Sequence, residues 1–259
     1  MIIDFHTHVF PDNIAHKASE SIGRFYDIPI RYDGTLSALL AAGKAAGIDG
    51  YVVHSVATTP NQTAAINAFI AGLCRENPGV YGFATIHPDQ EGMAGEFERA
   101  LKLGLKGVKI HSDMQKVALD DPRLFDLYET IQGRVPLLAH AGDNRFDYSN
   151  PDRLLRVLDA FPKLTVIAAH FGGWSVWREA LEAFKSRNLY VDCSSSFYAL
   201  SPSEAISLIR GYGAERVLFG SDYPMWDPGD ELKYLGKLGL TACETDWILH
   251  ENAERLLGL

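Results

Sequence analysis

Residues 1–10 read MIIDFHTHVF, an apolar start that passes into alternating polar side chains. In a β-strand, side chains two residues apart share a face, so the alternation predicts that Asp4, His6 and His8 lie together. A lone histidine is more often a packing residue, but two imidazoles on one strand face can bind the same metal ion. The stretch therefore predicts an opening strand that carries part of a metal site.

Further apolar segments follow at regular intervals, separated by helical patterns, as in a parallel α/β protein. We predict strands at residues 51–53, 81–86, 107–110, 135–139, 164–169, 189–191 and 216–219. Capping signals mark helices between them, for example Asp121 before Pro122 and Asn150 before Pro151. Eight strand–helix units in 259 residues predict one (β/α)8 TIM barrel over residues 1–259, because this fold typically takes about 250 residues. A doubly wound sheet is the rival, but the glycine-rich first turn that such folds use for nucleotides is absent.

Residues 9–34 contain no clear helical or strand pattern, so we expect an irregular segment after the first strand. A long segment that follows candidate ligands could be a lid over the site. It could equally pack against the end of the barrel or against another subunit, and the sequence does not decide between these alternatives.

Composition narrows the classes of partner. A formal net charge of -9 argues against a nucleic-acid partner but leaves an anionic small-molecule substrate open. There is no secretory leader pattern and no apolar run long enough for a membrane span, so we expect a cytoplasmic protein, with a homodimer as one allowed arrangement. Cys74, Cys193 and Cys243 are widely spaced and lack any CxxC, which predicts buried free thiols. A metal here would use nitrogen and oxygen ligands.

The histidines concentrate at the predicted strand ends. Of nine histidines, only His16 and His250 fall elsewhere. In a barrel of parallel strands, the carboxyl ends share one rim, where active sites are built. The histidines that we expect at this rim are His6, His8, His54, His87, His111, His140 and His170.

Motifs at four places resemble the amidohydrolase superfamily: the Asp4-x-His6-x-His8 strand, His140 in LAHAG, His170 in AHFGG and Asp222 in GSDYP. The LKGVKIH segment and the closing ENAERLL helix are similar to its amidohydrolase-related branch, which includes enzymes like aminocarboxymuconate semialdehyde decarboxylase. The resemblance runs from the first strand to the last helix. It implies a metal-dependent TIM-barrel enzyme.

The resemblance also implies a ligand set. One divalent ion, in the first place zinc, with manganese or another divalent ion as alternatives, would be held by His6, His8, His140 and Asp222. Nitrogen and oxygen ligands suit zinc, which can lower the pKa of a bound water from 15.7 towards about 7. His170 would be the catalytic acid/base, and Asp222 could also orient or deprotonate the water.

A second metal ion is the alternative, because binuclear members of the superfamily use a carboxylated lysine at the end of the fourth strand. Lys109 lies in that strand, but His111 occupies its last position, so we favour one ion. We expect Lys109 to be a buried ammonium that pairs with an interior carboxylate such as Asp4 or reaches the substrate. Both residues would then support the ligands from one layer deeper in the barrel interior.

Five residues are candidates for substrate binding. Arg145 could bind a substrate carboxylate bidentately, although an exposed loop arginine without this role is equally expected. Trp174, like Trp226, could form an apolar wall or simply pack under the rim. Tyr223 follows Asp222 directly, and His111 is the rim histidine best placed for contact with substrate.

The leading functional prediction is a metal-dependent hydrolase of a small amide, lactone or ester. The closest rival is non-oxidative decarboxylation of a small unsaturated or aromatic acid at the same site. A non-catalytic metal-binding barrel is the third class, and it predicts bound metal without turnover.

Overall fold

The computed structural model describes residues 1–259. Its strands form one parallel sheet in the order β1 to β8, as the barrel prediction requires. Their bounds are β1 Ile3–His8, β2 Gly50–His54, β3 Val80–Thr85, β4 Gly107–Ile110, β5 Leu137–Ala139, β6 Val166–Ala168, β7 Tyr190–Asp192 and β8 Val217–Leu218.

Hydrogen bonds between β1 and the end of β8 close the barrel. The amide of Phe5 donates to the carbonyl of Phe219 at 2.9 Å, and that of Asp222 donates to the carbonyl of His6 at 2.8 Å. The fold is therefore a (β/α)8 TIM barrel, and its closure holds Asp222 against the first strand.

Helices surround the barrel and alternate with the strands. They are α1 Asp12–Tyr26, α2 Leu36–Ala46, α3 Thr63–Glu76, α4 Met93–Lys102, α5 Ser112–Gln115, α6 Phe125–Ile131, α7 Pro151–Ala160, α8 Trp177–Phe184, α9 Pro202–Tyr212, α10 Pro228–Leu235, α11 Ala242–Asp246 and α12 Asn252–Leu257. Thr35 caps α2 as its sequence suggests, since its hydroxyl accepts a hydrogen bond from the amide of Ala38. None of these helices is long and apolar enough to cross a membrane.

Residues 9–34 are not irregular as expected, because α1 occupies most of the segment. It is an additional helix between β1 and α2, and it ends where Asp27 adopts a left-handed conformation with φ of 55°. Its hydrophobic face contains small residues such as Ala15, Ala18 and Ser19, which weakens the periodic signal in the sequence.

A shift in register in β1 changes the expected position of Asp4. The pairing between β1 and β2 is irregular between Asp4 and Thr7. Asp4 lies beside Tyr51, which packs in the outer core between sheet and helices, whereas Phe5 packs inside the barrel against Phe83 with ring centroids 5.6 Å apart. Bulges of this kind re-aim side chains near active sites. Asp4 therefore does not share the face of His6 and His8, contrary to the prediction from alternation.

The cysteines are free, as expected, but only Cys193 is buried. Cys74 is half-buried, and Cys243 is exposed on α11, so the expectation of burial was wrong for this residue. Cys243 lies in the first turn of α11, a short helix without buried residues, so no neighbouring element covers its thiol.

Candidate active site

Three predicted ligands meet where β1 ends and the loop after β8 begins. Nε2 of His8 lies 3.3 Å from Oδ1 of Asp222, and Nε2 of His6 lies 3.5 Å from the same oxygen. The nearby His170 follows β6, and one ligand atom each from His6, His170 and Asp222 lie within 4.8 Å of one another. The structure thus brings the imidazoles of His6 and His8 to the same carboxylate oxygen of Asp222, with His170 beside them.

The backbone at this site is held in an uncommon conformation. His170 and Asp222 have φ values of 60° and 58°, in the left-handed region that non-glycine residues rarely adopt. Hydrogen bonds hold both turns, since the amide of His170 donates to Oδ1 of Asp192 at 3.1 Å and that of Asp222 donates to the carbonyl of His6 at 2.8 Å. Such local strain is typical of residues positioned for function.

The fourth predicted ligand, His140, belongs to a neighbouring group. Its ring stacks on His111 with centroids 3.9 Å apart and an interplanar angle of 7°, and its Nε2 lies 3.6 Å from Oδ2 of Asp113. His140 Nδ1 is 3.0 Å from Nε2 of His170, which joins the two groups. Asp113 was not recognised in the sequence, because it follows β4 on the short helix α5 rather than at a strand end.

Hydrogen bonds assign the protons on this pair of imidazoles. Nδ1 of His170 lies 3.0 Å from the carbonyl oxygen of Ser194, which can only accept, so this nitrogen carries the proton. When both rings are neutral, Nε2 of His170 then accepts from Nδ1 of His140. The remaining lone pair of His140 is on Nε2, which is buried and has no hydrogen-bond partner.

The site favours the protonation state that a metal requires. Burial lowers the pKa of His6 to about 4 and also lowers that of His8. Burial alone would raise the pKa of Asp222, but the adjacent His6 and His8 hold it well below its usual range. Neutral imidazoles next to an ionised carboxylate are the forms that bind metal ions.

The expected pair between Lys109 and Asp4 does not form. Lys109 Nζ lies 3.1 Å from Nε2 of His6, and burial lowers the pKa of this ammonium to about 8. Asp4, on the other face of β1, accepts hydrogen bonds from the amide and hydroxyl of Ser221 at 2.9 and 2.6 Å. Asp4 contacts the residue that precedes Asp222, and Lys109 lies directly beside His6, one of the predicted ligands.

Asp192, at the end of β7, holds two of the histidines but was predicted only as a strand end. Its Oδ2 accepts from Nδ1 of His6 at 2.9 Å, and its Oδ1 accepts from the amides of His170 and Ser194, each at 3.1 Å. A carboxylate on the second nitrogen of a ligand histidine fixes its tautomer and orientation. The position of an acidic residue at the end of a predicted strand, on the rim of the barrel, is the sequence feature that could have indicated this role of Asp192.

Arg145 does not face the site. It forms a bidentate ion pair with the buried Asp143, with distances of 2.9 and 2.7 Å, and donates to the carbonyl of Phe25 at 2.7 Å. Its guanidinium also lies 5.0 to 5.3 Å from the ring centroids of four aromatic residues, Phe25, Tyr26, Phe146 and Trp174. Internal partners thus occupy the group expected to bind a substrate carboxylate, and Arg145 does not line the cavity.

Trp174 and Tyr223 also lie away from the cavity lining. Trp174 packs against Tyr26 with ring centroids 5.1 Å apart, and Tyr223 is fully buried and donates to the carbonyl of Thr35 at 3.0 Å. Trp226 donates to the hydroxyl of Ser195 at 2.7 Å. These aromatic residues pack under the rim, and none of them lines the cavity that the predicted contacts with substrate require.

His111 does border the cavity, which has a volume of about 560 Å³. Its Nε2 is 2.7 Å from the hydroxyl of Tyr26, at the end of α1. The cavity also reaches His6, His8, His140, His170 and Asp222. The sequence did not indicate the contribution of α1, because this helix was expected to be an irregular segment.

The residues present fit a divalent metal ion. Two ligands at about 2.0–2.1 Å from a tetrahedral ion lie about 3.3–3.4 Å apart, close to the 3.3 and 3.5 Å that separate Asp222 Oδ1 from the imidazoles of His8 and His6. Buried nitrogens without partners lie nearby, on His140 and on both sides of the His54 ring. Nitrogen and carboxylate oxygen atoms are suitable for zinc or manganese.

Solved structures with the same fold cover nearly the whole chain. An uncharacterised TIM-barrel protein from Bordetella bronchiseptica is 24% identical over 99% of this chain and 98% of its own, with a TM-score of 0.83. A 5-carboxyvanillate decarboxylase from Sphingomonas paucimobilis is 20% identical over 100% and 99%, with a TM-score of 0.78. A dihydroxybenzoic acid decarboxylase from Polaromonas sp. JS666, with bound manganese and the inhibitor 2-nitroresorcinol, is 18% identical over 100% and 97%, with a TM-score of 0.76.

At these identities the structural neighbours support the fold alone. No curated protein matches the chain by sequence. The family model described as Amidohydrolase matches residues 3–259, which include every strand of the barrel and all the predicted ligands. The chain therefore belongs to the amidohydrolase family.

Proposed function

We propose that this protein is a metal-dependent carboxy-lyase that removes carbon dioxide from a small aromatic or unsaturated monocarboxylic acid. The observation that carries the proposal is the cavity, in which a buried His/Asp centre meets a lining rich in apolar side chains. Loss of carbon dioxide disperses the charge of a carboxylate, so an apolar surrounding disfavours the starting carboxylate more than the transition state. The structural neighbours described as decarboxylases agree with this choice.

His6, His8, His140 and Asp222 would hold the metal ion. When bound, a divalent ion supplies a positive centre that orients an anionic substrate oxygen and withdraws electron density from the reacting carbon. Zinc or manganese suits the donor atoms, and the dihydroxybenzoic acid decarboxylase contains manganese.

His170 would manage the proton. It borders the cavity, and its Nδ1 is fixed by the carbonyl of Ser194 at 3.0 Å, so Nε2 is the nitrogen that exchanges a proton. A proton on Nε2 replaces the hydrogen bond that this nitrogen accepts, in the neutral ring, from Nδ1 of His140 at 3.0 Å. As the bond to carbon dioxide breaks, its electron pair stays on the substrate carbon, which takes a proton from Nε2 of protonated His170. Asp222, ionised nearby, stabilises the charged imidazole before the transfer.

Hydrolysis of a small amide, lactone or ester is the second candidate. Ionised Asp222 borders the cavity, where it could accept a proton from an attacking water. This was the leading prediction from the sequence, and the family description agrees with it. The apolar lining of the cavity favours decarboxylation over hydrolysis.

The test is product analysis on metal-loaded protein. Zinc- and manganese-loaded samples are incubated with hydroxybenzoic and unsaturated monocarboxylic acids, and separately with matching lactones and esters. We expect carbon dioxide and the decarboxylated product, absent from a His170→Ala sample. Ring opening or ester cleavage without carbon dioxide would overturn the carboxy-lyase in favour of the hydrolase. An isolated protein without stoichiometric metal and without gain on metal addition would contradict both.

A further inference from the structure

We propose that the substrate of this site carries an uncharged apolar arm, alkyl or aryl, that binds between α1 and α3. The proposal rests on the proposed function only for the reacting end of the substrate. The arm site is built from residues outside the His/Asp centre and can be tested separately. One cavity connects the two regions.

Helix α1 forms one wall of the arm site. Ile14, Ala18 and Ile22 are spaced by four residues and therefore share a face of the helix, and all three border the cavity. Ile14 is 48% exposed, so it presents apolar surface at the opening of the cavity. An apolar ligand would cover this surface, which gives the exposed isoleucine a function.

Helix α3 forms the facing wall. Ala65, Ile66 and Phe69 border the same cavity from one face of the helix, and Gln62 adds the one amide on this wall. Ile66 and Phe69 are half-buried in the structure. Two helices thus present apolar faces to a common space, which suits hydrocarbon rather than a polar group.

Charges around the cavity argue against a second acidic group on the substrate. The lining includes the carboxylates Asp113 and Asp222 but only one ammonium, that of Lys116, and no arginine. Arg145 is bound to Asp143 and cannot take part without breaking that ion pair. A second carboxylate would therefore have only Lys116 as a cationic partner and would face Asp113 and Asp222, whereas an uncharged arm needs no partner.

The arm site is fixed relative to the reacting centre. The hydroxyl of Tyr26 lies 2.7 Å from Nε2 of His111, and the carbonyl of Phe25 accepts from Arg145 at 2.7 Å, so the carboxyl end of α1 is tied to the rim. A volume of about 560 Å³ exceeds the needs of a single small ring and falls within the range of about 300–1,000 Å³ typical of sites for larger ligands.

The experiment measures binding of 4-alkylphenols with tails of two to eight carbons, by displacement of a fluorescent apolar dye. Both metal-loaded and chelator-treated protein are used. Each added methylene should lower Kd about fourfold until the site is full, which corresponds to about 0.8 kcal/mol. We expect this dependence with and without metal, because the arm site contains no metal ligand.

Substitutions locate the binding. Ala18→Trp and Ala65→Trp fill the space between the helices and should reduce affinity for the longest tails at least tenfold. Ala68→Trp is the matched control, since Ala68 is exposed on α3 but does not border the cavity, and it should bind as the unmodified protein does.

Affinity that does not depend on tail length, or an equal loss in Ala68→Trp, would overturn the proposal. So would loss of a dimer in Ala65→Trp without loss of alkylphenol binding, since the walls would then bind a second copy of the chain. Failure of carbon dioxide release with retained tail-length dependence contradicts the proposed reaction but supports the arm site.

Discussion

Oδ2 of Asp192 accepts a hydrogen bond from Nδ1 of His6 at 2.9 Å, and both side chains are fully buried. Burial alone would raise the pKa of Asp192, but contact with His6 holds it well below the usual range, so the carboxylate is ionised. The bond places the proton of His6 on Nδ1 and leaves the lone pair on Nε2, which lies 3.1 Å from Nζ of Lys109 and 3.5 Å from Oδ1 of Asp222. One residue at the end of β7 therefore sets the tautomer of a predicted ligand on β1.

We predict that Asp192→Asn weakens metal binding about 10- to 100-fold, the usual effect of removing such a partner. Asparagine has one acceptor oxygen where the carboxylate has two, so it cannot accept from Nδ1 of His6 and from the amides of His170 and Ser194 together. Either His6 or the backbone at His170 then loses its partner. Competition with a chromophoric chelator measures the change. Asp126→Asn, an exposed acid on α6, is the control. Equal metal affinity in the two variants would contradict the role of Asp192.

Substitution of the histidines should separate metal binding from turnover. His6→Ala removes a ligand together with the partner of Asp192, so we expect loss of stoichiometric metal and of activity. His170→Ala should keep the metal but lower kcat about 10²- to 10⁴-fold, the range for loss of a general acid. Metal analysis and initial rates on the same samples make the comparison. Metal loss in His170→Ala would instead make His170 a ligand.

The first strand shows which side-chain positions the alternation pattern predicts and which it does not. The two histidines of residues 1–10 do lie together and face Asp222, as alternation predicts. Asp4 does not, because alternation assumes a regular ladder and the register shifts between Asp4 and Thr7. Such a shift depends on pairing with β2 and on closure by β8, which no local pattern records.

We predict that Asp4 stabilises the closure of the barrel. Asp4→Ala leaves the amide of Ser221 without its acceptor in the interior, which costs about 1–3 kcal/mol. For a chain of this size, each kcal/mol lowers Tm by about 2–4 °C. Thermal unfolding of metal-loaded protein measures the loss.

Asp4→Asn is the matched variant, because its amide oxygen can still accept from Ser221, and it should lose less stability. Metal affinity should fall in parallel, since Asp222 follows Ser221 directly. Unchanged Tm and affinity in Asp4→Ala would show that Asp4 does not support the site.

Arg145 shows what sequence cannot supply. A loop arginine after a ligand strand has the same local sequence whether it binds substrate or an internal acid. Its partners are Asp143, two residues away, and the carbonyl of Phe25 on α1, which the sequence did not indicate as a helix. The strand–helix units and the histidines at the strand ends recur along the chain and can be predicted, whereas the choice of Asp143 and of the distant Phe25 as partners cannot.

The final prediction concerns pH and Glu231 on α10. Burial, followed by the nearby charges of Asp4 and Asp222, raises the pKa of Glu231 from 4.5 to about 8, and its Oε2 has no hydrogen-bond partner. The folded protein therefore binds this proton more tightly than the unfolded chain. Between pH 4.5 and about 8 the unfolded state holds fewer protons, so this group makes stability fall as pH rises, by at most about 1.4 kcal/mol per unit.

Glu231→Gln removes this titration while keeping the shape of the side chain. We expect a similar Tm for the variant and the unmodified protein near pH 5, and a variant that is more stable by several degrees at pH 8 to 9. Glu91→Gln, at an exposed position, is the control and should not change the pH dependence. Parallel Tm curves for Glu231→Gln and the unmodified protein would contradict a buried, protonated Glu231. Because the folded pKa sets the upper limit of the window, the difference should stop growing above about pH 8.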